Sequence, residues 1–92
     1  DFRIRHVHLH PGRELIAATV FHADSLRSNI GVLPLRGSEL TEITEGDSFD
    51  QFPRWSPGDK RRIVFQSAGI GRNAAGQFAG LAPCEIHALD LD

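Results

Sequence analysis

One segment constrains this chain more than any other: Asp50-Gln51-Phe52-Pro53-Arg54-Trp55-Ser56-Pro57-Gly58-Asp59-Lys60-Arg61-Arg62-Ile63-Val64-Phe65. A weaker copy stands about 46 residues earlier, as His6-Val7-His8-Leu9-His10-Pro11-Gly12-Arg13-Glu14-Leu15-Ile16-Ala17. Self-similarity at a period of roughly 40 to 50 residues, with several short strands per unit, describes a fold assembled from repeated small sheets. Such a sheet cannot bury both faces alone and must stack on a neighbour. Leu9 and Trp55 fall at corresponding positions and are expected to occupy equivalent places in two stacked sheets.

Strand signals follow the same order in both units. Residues 2–9 alternate in period two, which puts Phe2, Ile4, His6 and His8 on one side and Arg3, Arg5, Val7 and Leu9 on the other. His10-Pro11-Gly12 ends the strand, since proline cannot donate to a ladder and glycine permits the turn. The apolar run 15–21 reads as a strand covered on both faces. Residues 29–35 and 40–44 give two more, with turns at 22–28 and 36–38. In the second unit, strands are expected at 51–55, 62–67 and 85–91, with Ser56-Pro57-Gly58-Asp59 as a turn and 68–83 as a long irregular loop. Residues 72–81 carry too many glycines in and around them for a helix.

Four strands followed by an unfinished four is the pattern of two adjacent antiparallel blades cut from a β-propeller. The expectation is an all-β chain: a degenerate blade over 1–44 and a second over 45–92 that lacks its outer strand. Phe52-Pro53-Arg54-Trp55-Ser56-Pro57, then Gly58 to Phe65, then Glu85-Ile86-His87-Ala88-Leu89-Asp90-Leu91-Asp92, resembles the TolB-type, WD40-like propeller repeat. That repeat reads approximately Pro-x-Trp-Ser-Pro-Asp-Gly-Lys-x-Ile-x-Phe, a loop, and Asp-Ile-Tyr-x-Met-Asp-Leu-Asp. Here Gly58-Asp59 inverts the usual Asp-Gly, an extra arginine follows, and Leu9 replaces the tryptophan of the first unit. The resemblance marks Asp50, Pro53, Trp55, Ser56 and Pro57 as the structural motif. Trp55 should anchor neighbouring sheets, Pro53 should sit where the ladder needs no amide, and Asp50 should hydrogen-bond nearby backbone.

The balance of charges, net −2 with signs interspersed, lacks the basic face that a nucleic-acid partner requires. Lys60-Arg61-Arg62 beside Asp59 reads as a solvated turn. No run approaches the ~18 apolar residues of a membrane span. A chain that begins at Asp1 and contains no methionine is expected to be a fragment or a processed product. Cys84 is the only cysteine, so no internal disulfide forms and the compartment stays open. The resemblance implies the periplasm, and the residues equally allow the cytoplasm.

Three groups could carry chemistry. His6, His8 and His10 alternate along a strand, and imidazole is a common ligand for a divalent metal. Oligogalacturonate lyases, propellers that resemble this repeat, hold a metal with histidines. Same-face strand residues about 6.8 Å apart are far apart for co-ligands, however, and packed or channel-lining histidines are the plainer reading. Gly69-Ile70-Gly71-Arg72-Asn73-Ala74-Ala75-Gly76 lacks the helix that a dinucleotide fingerprint needs. It reads instead as a loop able to reach a ligand or partner through Arg72, Asn73, Gln77 and Phe78. Cys84 with His87 is a weak nucleophile pair, and a buried structural thiol is the plainer reading.

The functional expectation is therefore a non-catalytic scaffold, with no required cofactor, that binds a protein or small ligand at the ring face. Its structural partners would be the remaining blades of a parent ring or further copies of itself, and alone it should expose sheet edges and associate. The alternative is the propeller domain of an enzyme. This would be a prolyl-oligopeptidase-like serine peptidase with catalytic residues outside this chain, or a histidine-metal lyase.

Overall fold

The computed structural model describes residues 2–58 and 60–91, and every described element is a strand or a turn. Four strands form an antiparallel meander: β1 (Phe2–Leu9), β2 (Leu15–His22), β3 (Arg27–Pro34) and the two-residue β4 (Thr41–Glu42). A second meander runs β5 (Ser48–Trp55), β6 (Arg62–Arg72) and β8 (Glu85–Asp90), with β7 (Phe78–Leu81) beside the far half of β6. One parallel bridge, Ser28 to Phe49, joins β3 to β5 and makes a single curled, half-barrel sheet of eight strands.

The two meanders share an irregularity at the same place. Register shifts between Arg5 and His8 in β1, and between Gln51 and Arg54 in β5. Inside these bulges His6 has φ 53° and Phe52 has φ 55°, left-handed values for residues that are not glycine. A β-bulge inserts a residue, sharpens the twist and re-aims the side chains beyond it. The two strained residues meet, their rings stacked with centroids 4.1 Å apart. Pro53 lies buried within the second bulge, where the ladder needs no amide.

The first bulge corrects the simple alternation expected for residues 2–9. Arg3 and Arg5 pair with Phe21 and Thr19, and His8 beyond the bulge pairs with Ala17. Side chains on directly paired residues share a face, so His8 joins the arginines. Leu9, paired with Ile16, joins Phe2 and Ile4 on the opposite face.

The core forms where the second meander packs on the first. Ala17, Ile30 and Val32 contribute from one side and Trp55, Ile63 and Phe65 from the other, with Leu15, Ile43, Leu89 and Leu91 around the rim. Leu9 and Trp55 hold equivalent registers, opposite Ile16 and Ile63. Their surroundings differ: Trp55 is 5 % exposed and Leu9 49 %.

Residues 68–83 do not form the expected irregular loop. β6 continues to Arg72, turns through residues 73–77 and returns as β7. The Gly76 amide donates to the Asn73 carbonyl and the Asn73 amide to the Gln77 carbonyl. Gly76 adopts φ 79°. This is a type I turn closed by a glycine bulge, a common hairpin connection. The turn after β5 is described as far as Gly58, and Asp59 lies outside the described residues.

Candidate binding cleft

Asp50 is the polar hinge between the meanders. It is 3 % exposed. Its Oδ1 accepts from Ser67 Oγ at 2.6 Å and Ser48 Oγ at 2.9 Å, and its Oδ2 from Asn29 Nδ2 at 3.3 Å. Its carbonyl accepts from Ser28 Oγ, and Arg27 holds Asn29 Oδ1. The expected backbone bond is thus a side-chain network spanning β3, β5 and β6. Every buried polar side-chain atom among the described residues has a partner, as a buried network requires.

Arg72 fastens the β6–β7 hairpin to the first meander. Its guanidinium grips Asp47 with two bonds, Nε to Oδ2 at 2.6 Å and Nη2 to Oδ1 at 2.9 Å. Nη2 also donates to the Ser25 carbonyl at 2.6 Å, and Nη1 to that of Gly76 at 3.3 Å. The forked geometry suits a carboxylate. This hydrogen bonding holds the Asp47 carboxyl below, and the Arg72 guanidinium above, their usual values.

The two turns so joined enclose an open cleft of about 480 Å³, lined by Asp24, Ser25, Leu26, Arg27, Asp47, Arg72, Gly76, Gln77 and Phe78. Leu26 and Phe78 are about half exposed across it. Leu26 is left-handed at φ 49°, so a bulky side chain is held outward at a backbone cost of order 1–3 kcal/mol. Of the four expected loop residues, Arg72, Gln77 and Phe78 line the cleft. Asn73 instead builds the turn: its Oδ1 accepts from the Ala75 and Gln77 amides. Leu26, in the opposite turn, carried no sequence signal for this role, because its left-handed backbone is invisible in the residue type.

The three histidines do not assemble as a ligand set. Among the described residues no group of three or more His, Cys, Asp or Glu side chains is placed to hold a metal. His6 Nδ1 lies 3.0 Å from Thr19 Oγ1. His8 Nδ1 accepts from the Trp55 amide, and its carbonyl accepts the Trp55 indole N–H at 2.9 Å. Burial, with help from Arg54 and His10, lowers the His8 pKa, which suits a ring acting as acceptor. His10 is 2 % exposed: its Nδ1 accepts from Gly12 and its Nε2 donates to the Lys60 carbonyl. Both of its nitrogens are therefore occupied. The bulge at His6 and the turn at His10 send the rings to separate tasks.

Cys84 is exposed rather than buried, because it precedes β8 and lies outside the packed face. Its sulfur lies 3.9 Å from the Glu85 carbonyl, while His87 Nε2 contacts the Glu85 carboxylate at 3.1 Å. Ser56 and Pro57 keep their turn role, the Ser56 amide donating to the Arg62 carbonyl. No helix of the described residues is long and apolar enough to cross a membrane. Comparison of the chain with protein-family models, curated proteins and solved structures gives no match.

Proposed function

We propose that the two meanders are consecutive blades of a TolB-like β-propeller and that the chain is a binding scaffold rather than a catalyst. The observation that carries the reading is the repeated bulge: a left-handed residue about 46 positions apart, at the same step of each first strand. Support also comes from the stack, in which the Trp55 face of the second unit lies on the Ala17 face of the first. A stack built this way leaves Phe2, Ile4 and Leu9 uncovered on the first unit and Ile86 uncovered on the second. Further blades, or further copies of the chain, would cover them.

The binding surface in this reading is the cleft between Leu26 and Phe78. Two turns held together by Arg72 present apolar side chains with little ordering left to undergo on binding, which favours affinity. The fitting ligand is a protein segment offering an apolar side chain to the cleft and donors to Asp24 and Gln77.

Two measurements test the proposal. Light scattering of the purified chain is expected to show association that Leu9→Asp reverses, and a well-folded monomer at high concentration would overturn the blade reading. Peptides selected from a displayed library are expected to lose binding on Phe78→Ala or Leu26→Ser. Selected peptides indifferent to both changes would overturn the cleft reading.

A further inference from the structure

A second cleft lies along β1, lined by Arg3, Arg5, His6, Thr19, Phe21 and Gln51, with a volume of about 330 Å³. Arg3 and Arg5 occupy it side by side because their partners on β2, Phe21 and Thr19, share one face. Two residues apart on a strand, they stand about 7 Å from each other. Neither guanidinium has a hydrogen bond or ion pair among the described residues, and no described carboxylate lines the cleft. Three other arginines are committed: Arg27 to Asn29, Arg62 to Asp90 and Arg72 to Asp47. The Gln51 amide completes the polar lining, and Phe21, lying nearly parallel to Phe49, supplies an apolar wall.

We propose that this cleft binds a phosphate monoester. Two guanidinium forks on one face are better matched by a group with three acceptor oxygens and more than one negative charge than by a carboxylate with two oxygens and a single charge. A phosphate monoester carries close to two negative charges near neutral pH and three acceptor oxygens, so it engages both forks at once. The Phe21 wall then takes the organic part of the ester. The inference is independent of the propeller reading, since all six lining residues belong to the described chain.

The test is calorimetric or NMR titration of the purified protein with phenyl phosphate, inorganic phosphate, succinate and phenol. Phenyl phosphate is expected to bind, inorganic phosphate to bind more weakly, and succinate and phenol to bind least. Arg3→Gln and Arg5→Gln should each weaken phenyl phosphate about tenfold or more, the loss expected for a charge-assisted hydrogen bond. Both side chains are exposed, so circular dichroism should show the fold unchanged. Equal binding by the double variant would overturn the site. Succinate binding as tightly as phenyl phosphate would overturn the ligand class, and phenol doing so would overturn the role of charge.

Discussion

The two meanders follow one backbone plan with different side chains, and the difference separates what geometry demands from what packing demands. Both first strands bulge at the same step through a left-handed residue, histidine in one and phenylalanine in the other. Histidine tolerates that conformation better than most residues and phenylalanine poorly, so at Phe52 the surrounding sheet imposes it. At the next landmark the residues diverge: Trp55 is enclosed by the other meander, whereas Leu9 in the equivalent register is half exposed. Asp50, buried among four side chains that donate hydrogen bonds to it, corresponds to the exposed Ile4. The backbone repeats, and the side chains record which face has a neighbour.

The strongest way to break this comparison is at the landmark pair. Trp55→Ala removes the largest core side chain and is expected to cost about 3–5 kcal/mol, whereas Leu9→Ala should cost under about 1 kcal/mol. Urea unfolding of both variants measures the gap, and equal losses would mean that the two positions are packed alike. Next in size, Asp50→Ala strands Ser48, Ser67 and Asn29 without their acceptor and should cost about 1–3 kcal/mol. Ile4→Ala, at the matching position, should change stability by less.

Much of this comparison is legible in the sequence. Period-two alternation, Pro11, Gly12, Pro57 and Gly58 located most of the strands and their turns, and the repeat offset located the equivalence of Leu9 and Trp55. The β6–β7 hairpin was not legible as read, because Gly69, Gly71 and Gly76 resemble a flexible loop. Asn73 with Gly76 three residues later was the available signal for a type I turn and its glycine bulge. The bulges themselves left no trace, since His6 and Phe52 are ordinary strand residues. Strict alternation therefore puts His6 and His8 on one face, and the bulge between Arg5 and His8 separates them. Asp50 was legible as a hydrogen-bonding residue, but its partners come from strands distant in sequence.

Smaller perturbations sharpen the contrast between the hairpin, present only in the second meander, and the rest. Arg72→Ala should raise amide hydrogen exchange through residues 70–80 and leave β1–β3 unaffected, and uniform loosening would show that the hairpin is integral to the core. The paired Asp47 is held below its usual pKa of 3.8. Its contribution is therefore complete above that value and lost as pH falls through the lower folded one. Acid should accordingly loosen the hairpin, though less than Arg72→Ala does, because the Ser25 and Gly76 carbonyls still accept from Arg72.

The smallest effect concerns His8. Its pKa lies below the usual 6.5 in the folded chain, so the unfolded chain binds its proton more readily. Stability from this group is complete above about pH 6.5 and declines as pH falls through and below that value. Chemical denaturation at pH 7.5 and 5.5 should show a decline that His8→Gln reduces, and an unchanged slope in that variant would place the titration elsewhere.

Trp55 is gripped twice by a single residue, its amide by the His8 ring and its indole by the His8 carbonyl. Sliding either meander by one step would forfeit both bonds together, so there is no partial misalignment that keeps half the grip. The two halves are thereby bound to melt in one cooperative event, and calorimetry should record one peak where a looser tandem would give two.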